Sequence, residues 1–190
     1  MRAETALYFL TGSSASGKTT LLREVARSAF PALAVRHFDD LGTPTREEMD
    51  AQCGGPAQWQ DRNIRRWLRQ IADSGEAGLH VLDGQAKPNV VLEAARECRF
   101  PAVRVVLITC SHEERRRRLR ESRIQPELDA PDMYAWAAYL HGQADALGLE
   151  VIDTTGKTAA ESARELALSI RRFAEEEGIP LERRRPSAGA

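Results

Sequence analysis

A run of four apolar residues, Leu7-Tyr8-Phe9-Leu10, leads without a break into Thr11-Gly12-Ser13-Ser14-Ala15-Ser16-Gly17-Lys18-Thr19-Thr20. The short apolar run predicts a strand buried on both faces. The ten residues after it hold two glycines, one lysine and six hydroxyl side chains, and positions 12 to 19 fit G-x-x-x-x-G-K-[ST]. Glycines at those places let the backbone curl so that successive amides converge on one point. A helix starting near Thr19 adds the positive end of its dipole. Gly12, Ser13, Ser14, Ala15, Ser16, Gly17, Lys18, Thr19 and Thr20 therefore form a candidate phosphate cradle. In it the Lys18 ammonium would bridge the β and γ phosphates and the Thr19 hydroxyl would meet Mg2+.

The apolar run recurs at Leu33 to Phe38, Leu79 to Leu82, Val103 to Ile108 and Leu149 to Ile152, with amphipathic stretches between. Short buried strands separated by helices predict a parallel sheet covered on both faces, a doubly wound α/β fold. Helix starts carry punctuation: Thr45 with Glu48, Ser111 with Glu114 and Thr158 with Glu161 each spell S/T-x-x-E. Another helix begins at Pro131 and runs toward Gly148. Ile64, Trp67, Leu68 and Ile71 share one face of a further helix, and Arg62, Arg65, Arg66 and Arg69 fill the rest. At 190 residues the chain suits one domain, over about residues 1–178. The charged and then Pro/Ser/Ala/Gly-rich end leaves 179–190 as a disordered tail.

With 27 basic against 28 acidic residues the net charge is −1, which argues against a dedicated nucleic-acid binder. Cys53, Cys98 and Cys110 lie far apart and odd in number, so neither a disulfide framework nor a zinc site is expected. His37, His80, His112 and His141 have no metal spacing and read as structural or solvated. No leader and no membrane-length apolar run is visible, so the expectation is a soluble cytoplasmic protein with no membrane partner. The sequence leaves the oligomeric state open.

Strand, glycine-rich loop and helix, with Val81-Leu82-Asp83-Gly84-Gln85 further on, resemble the P-loop kinases of the nucleotide and small-metabolite type, adenylate-kinase-like and nucleoside- or sugar-kinase-like. The resemblance spans about Tyr8 to Phe173. It implies a three-layer fold with five parallel strands in the order 2-3-1-4-5 and a short arginine-rich lid at about 111–131. ATP and Mg2+ are the implied cofactors. By the same resemblance Asp83 holds a water on Mg2+, the alternative being a simple Asp-Gly turn. Of Asp39 and Asp40 in "RHFDDL", the resemblance makes Asp39 the preferred group to orient and deprotonate an acceptor hydroxyl. Arg62 and Arg66 meet the acceptor or form a solvated face. In "SHEERRRRLRESR", Arg118 and Arg123 fold over the triphosphate, the alternative being a solvated helix whose arginines pair with its own glutamates. With Leu119 its only apolar residue after the cap, that stretch is expected at the edge of the fold and mobile. Gly156 in "DTTGKT" marks the adenine-holding loop.

One departure bears on the acceptor. Adenylate kinases follow the strand-end Asp-Gly with phenylalanine, proline and arginine, whereas here Gln85-Ala86-Lys87 follows. Gln85 suits a neutral hydroxyl better than a phosphate. The implied activity is transfer of the γ-phosphoryl group of ATP to a small-molecule acceptor, most directly a hydroxyl of a metabolite, nucleoside or sugar-like compound. Nucleotide-hydrolysing regulators, nucleoside monophosphate kinases and polynucleotide end-kinases are the other classes that use such a loop.

Overall fold

Each apolar run becomes a strand. The computed structural model describes residues 5–30, 33–122 and 124–181. β1 (Thr5–Thr11), β2 (Ala34–His37), β3 (Gly78–Gly84), β4 (Val103–Thr109) and β5 (Glu150–Asp153) pair in parallel in the order β2-β3-β1-β4-β5. Around them lie α1 (Lys18–Ser28), α2 (Arg46–Cys53), α3 (Pro56–Asp73), α4 (Pro88–Glu97), α5 (His112–Arg117), α6 (Pro131–Leu147) and α7 (Ala159–Glu176). The doubly wound fold and its strand order are those the sequence implied. Among the described residues no helix is long and apolar enough to cross a membrane.

The twofold alternation of β1 decides which helices cover which face. Tyr8 and Leu10 pack with Leu22 and Val25 of α1 and with Leu166, Ile170 and Phe173 of α7. Leu7 and Phe9 point the other way, onto Ile64, Trp67, Leu68 and Ile71 of α3 and Val91 of α4. The apolar stripe on α3 is thus the face that is buried. Removing a large apolar side chain of this kind from water contributes roughly 1.5–3 kcal/mol. Ile179 and Leu181 also pack against the first of these clusters. Of the expected tail, 182–190 lies outside the described residues.

Two capping boxes close reciprocally. Thr45 accepts from the Glu48 amide while Glu48 accepts from the Thr45 amide, and Thr158 and Glu161 do the same. At α5 only half of the box forms. Ser111 accepts from the Glu114 amide at 3.1 Å, but the Ser111 amide donates to the Thr155 hydroxyl at 2.7 Å. The Glu114 carboxylate is taken by Arg117 and Arg118, each at 2.7 Å. Charge-assisted bonds from guanidinium outcompete a neutral amide for one carboxylate.

The arginine-rich stretch is mostly exposed, as expected of a segment at the edge, and it is also tied down. α5 ends after six residues, and a wider π-helical turn, Arg118–Ser122, follows. Leu119 and Arg115 are both buried. The Gln125 amide donates to the Leu119 carbonyl. Asp129 accepts from Arg120, pairs with Arg116, and accepts from the Tyr134 hydroxyl, while the Tyr134 ring stacks on His112. A single apolar side chain suffices to anchor the segment because carboxylates clasp its arginines on both sides.

His80 on β3 gives a pH test of the fold. Its Nδ1 faces the Arg36 guanidinium at 2.6 Å, a group that only donates, so Nε2 carries the proton and donates to the Glu76 carbonyl at 3.0 Å. Burial holds its pKa below the ordinary value near 6.5. The native state favours the neutral ring, so its contribution is complete above the unfolded value and is lost as pH falls toward the folded one. Denaturant midpoints measured between about pH 7.5 and 5 should fall with acid. The fall should be shallower in His80→Gln, and equal slopes in the two proteins would refute the assignment.

Candidate active site

The loop between β1 and α1 is held by close approach. A Cβ on Gly12 would stand 2.3 Å from the Ile108 carbonyl of β4, so only glycine fits there. Ala15 takes the left-handed conformation, φ 59°, and curls the chain back toward α1. α1 is preceded by Gly17 at its N-cap and has neither a side-chain cap nor an acidic residue in its first turn, unlike α2, α5 and α7. Its amino-terminal N–H groups and dipole thus face the loop with no built-in anion of their own.

Three side chains occupy the carbonyl side of the loop. Lys18 Nζ donates to the carbonyls of Gly12 and Ser13 at 2.7 and 2.9 Å and lies 3.4 Å from Ser16 Oγ. Arg118 reaches the carbonyls of Ala15 and Ser16 at 3.3 and 3.4 Å, and also Thr154 Oγ1 and O at 2.9 and 3.0 Å. Thr154 Oγ1 lies 3.0 Å from the Ser16 carbonyl and 2.9 Å from that of Thr109. Arg118, expected over a triphosphate, here lies against the loop carbonyls and ties the turn that follows α5 to the turn after β5. The Arg117 guanidinium, with burial opposing and Arg118 assisting, holds the partner carboxyl of Glu114 down at about 2. Gly156 sits in that turn at φ 67°, two residues past Thr154. Thr20 is exposed on the first turn of α1, and Arg123 lies outside the described residues.

Asp83 closes the loop on the β3 side. Its Oδ2 accepts from the Thr19 hydroxyl at 2.6 Å, and His37 Nδ1 lies 2.7 Å from its Oδ1. Thr19 and Asp83 thus offer hard oxygen donors side by side at the helix start. Among the described residues no group of three or more His, Cys, Asp or Glu could hold a metal ion. One hydroxyl and one carboxylate fit Mg2+, which keeps much of its water and takes the rest of its ligands from phosphates. They do not fit a cage built wholly from protein. Thr19 and Asp83 are the residues that would hold it.

The acceptor candidates divide. Asp39 and Asp40 sit exposed on a 3₁₀ turn, Phe38–Leu41, that follows β2. The Asp40 carboxylate accepts from the His37 amide at 3.0 Å, so it caps its own turn. Among the described residues the Asp39 carboxylate accepts a single long bond, 3.3 Å, from Thr43 Oγ1. Gln85 Nε2 donates to Ser14 Oγ at 2.7 Å, joining the end of β3 to the loop. Arg62 donates to the Gln52 carbonyl on α2, and Arg66 is exposed on α3. Lys87 pairs with Asp61 at 3.2 Å. Sequence reasoning missed His37, Thr154 and Asp61. His37 left one signal, its place two residues before Asp39 at a strand end. Thr154 was visible only as part of the loop after the last strand.

Residues 9–133 match the AAA domain. The chain belongs to the AAA domain family. No curated protein matches it in sequence. Among solved structures this AAA domain protein is similar to a gluconokinase from Sinorhizobium meliloti 1021, with a TM-score of 0.57 at 18% identity over 93% of this chain and 96% of that one. It is also similar to the shikimate kinase of Aquifex aeolicus vf5, with a TM-score of 0.60 at 15% identity over 90% and 99%. The APS kinase of Mycobacterium tuberculosis in complex with AMPPNP and APS gives 0.55 at 17% over 90% and 98%. At these identities the likeness is one of fold, over nearly the whole length of each protein.

The turn that carries Asp39 is fixed by packing. Trp67 Nε1 donates to the Phe38 carbonyl at 3.0 Å, and the Phe38 ring meets Trp59 edge to face. A Cβ on Gly84 would lie 2.7 Å from Phe38 Cβ and 2.9 Å from its Cγ. Gly84→Ala should therefore lower unfolding stability by roughly 1–3 kcal/mol, the usual cost of overpacking, and shift tryptophan emission by moving Phe38 off Trp59. A variant of wild-type stability and emission would show the turn to be loosely seated.

Proposed function

We propose that this AAA domain protein is a Mg2+- and ATP-dependent phosphotransferase acting on a hydroxyl of a small metabolite, nucleoside or sugar-like compound. The observation that carries the reading is the convergence of three groups at the carboxyl ends of β1, β2 and β3: the Lys18 loop, the Thr19–Asp83 pair and the lightly held Asp39. Ligands of open parallel sheets bind beyond those ends. Structures described as a gluconokinase, a sugar kinase and a shikimate kinase share the fold, which supports a small polar acceptor. Mg2+, when bound, would screen the phosphate charge.

The protein's own part is positional. Lys18 would exchange loop carbonyls for phosphate oxygens, and the amides of the loop would fix the triphosphate. Asp39 would accept the proton of the acceptor hydroxyl as its oxygen bonds to the γ phosphorus and the bond to the β-phosphate oxygen breaks, releasing ADP. A neutral acceptor suits the surroundings. Lys87 is already balanced by Asp61, Arg65 by Glu93 and Glu97, and Arg62 faces a backbone carbonyl. A monophosphate acceptor would need Lys87 or Arg65 released, or would have to draw on Arg62 and Arg66. The unpaired Cys53, Cys98 and Cys110 suit a reducing cytoplasm. Partners are the nucleotide and its acceptor, with neither nucleic acid nor membrane required.

Release of ADP stimulated by members of a polyol, sugar and nucleoside panel tests the reading. Stimulation by a protein or by a nucleic-acid end instead would move the chain to the regulator or end-kinase classes. Lys18→Ala should lower turnover at least roughly 10- to 150-fold, the equivalent of one charge-assisted contact at about 1.5–3 kcal/mol, with a smaller effect on folding. Asp39→Asn should leave ATP affinity near wild type and slow transfer by about 10²- to 10⁴-fold. Asp83→Asn should instead weaken the response to Mg2+ with or without acceptor. Full turnover in Lys18→Ala, or unaltered transfer in Asp39→Asn, would count against the site.

A further inference from the structure

β2 ends at His37, and the strand register sets that residue opposite Asp83 of β3. The imidazole turns inward across the pair. Nδ1 lies 2.7 Å from Asp83 Oδ1, with the His37 side chain 22% exposed and that of Asp83 only 4%. An ionised carboxylate only accepts, so the group facing Oδ1 must donate and Nδ1 carries a proton. The second oxygen of the same carboxylate accepts from the Thr19 hydroxyl. Two donors from two different elements thus grip the two oxygens.

We propose that His37 is a positioning residue that fixes the plane of the Asp83 carboxylate, and through it the Thr19 hydroxyl, for a divalent cation carried by the nucleotide. The inference rests on the MgATP reading above. Its physical basis is the softness of the last torsion of an aspartate, which is broad and nearly twofold. A bond to Oδ2 alone leaves the carboxylate free to swing, whereas a second donor on Oδ1 removes that freedom. His37 is itself held on both sides of its backbone. Its amide donates to Asp40, and the carbonyl of the next residue, Phe38, accepts from Trp67. The grip is therefore rigid from α3 through the turn to β3. The same three residues, His37 to Asp39, join the cation side of the crevice to the acceptor side. Groups that orient a metal-side ligand typically alter affinity or activity about 10- to 100-fold when removed. With Asp83 reaching the ion through water, the low end applies here.

The two imidazole nitrogens can be told apart by substitution. An asparagine amide nitrogen falls near the place of Nδ1, and a glutamine amide nitrogen near that of Nε2. ATP affinity of the full chain, measured by calorimetry with Mg2+ and with EDTA, should be alike in EDTA for wild type, His37→Ala, His37→Asn and His37→Gln. The gain on adding Mg2+ should persist in wild type and His37→Asn and shrink about 10-fold in His37→Ala and His37→Gln. A full Mg2+ gain in His37→Ala would overturn the proposal. So would a gain kept by His37→Gln and lost by His37→Asn, which would assign the ring to the acceptor through Nε2. Long-range ¹H–¹⁵N spectra of the wild type need no variant to fold. At about pH 8.5, where an ordinary imidazole is neutral, His37 should show the Nδ1–H tautomer, and the Nε2–H form would overturn the proposal. Wild-type protein with no Mg2+ gain at all would instead defeat the MgATP reading, whatever His37 does.

Discussion

The backbone of the phosphate loop and the backbone of β4 approach so closely at Gly12 and Ile108 that no Cβ can stand between them. That approach is possible because β1 lies at the middle of the sheet, flanked by β3 on one side and β4 on the other. A loop leaving a central strand emerges where the chain connections diverge to opposite faces, which opens a crevice above the strand ends. The loop is then fastened on its carbonyl side. Lys18 takes Gly12 and Ser13, Arg118 takes Ala15 and Ser16, and Thr154 lies against Ser16. With those acceptors engaged, the groups left to meet a ligand are loop amides and the uncapped start of α1. The preference for an anion follows from that polarity and not from any excess of positive charge on the chain, whose net charge is −1.

What was legible in the sequence is what is local or periodic. The spacing of glycines and lysine defined the loop, the apolar runs defined five strands, and the stripe Ile64, Trp67, Leu68, Ile71 named the buried face of α3. The contacts that give the site its geometry join residues far apart in the chain. His37 meets Asp83 across 46 positions, Gln85 meets Ser14 across 71 and Arg118 meets Ala15 across 103. Strand register brings the first two pairs together, through β2 on β3 and β1 on β3, and helix placement the third, and neither is written in composition or spacing. A histidine without metal spacing therefore reads as bland until the register sets it beside a carboxylate.

The acidic pair shows how far a pattern reaches. Adjacent aspartates past a strand mark the acceptor end of the crevice, yet spacing alone cannot divide their roles. A 3₁₀ turn has three residues per turn, so neighbouring side chains leave it about 120° apart. The Asp40 carboxylate is thereby directed back to the amide of His37, while that of Asp39 reaches the distant hydroxyl of Thr43. The same logic governs Ser111 and Glu114. The motif was present, but its second half lost to Arg117 at the end of the helix and Arg118 just past it, and the Ser111 amide found Thr155 instead.

Those arginines also explain why an almost wholly polar segment is anchored. Arg116 and Arg120 converge on Asp129, Arg117 spans Glu114 and Glu121, and Arg118 spans Glu114 and the loop. Arg115 is different. It is buried, donates to the Cys110 carbonyl, and leaves Nε without a partner among the described residues. A guanidinium so placed carries a desolvation cost that one carbonyl offsets only in part. The segment is thus held by ionic clasps that salt and solvent weaken, with Leu119 as its one large apolar anchor. Segments with few apolar contacts open at lower free energy than the core they cover. The brace that Arg118 lends the loop therefore comes from the part of the fold most easily released, whereas the Asp83 grip on Thr19 comes from the buried end of a central strand pair. The two sides of the crevice differ in stiffness for that reason, the cation side fixed by the sheet and the arginine side by ion pairs and hydrogen bonds around one apolar anchor.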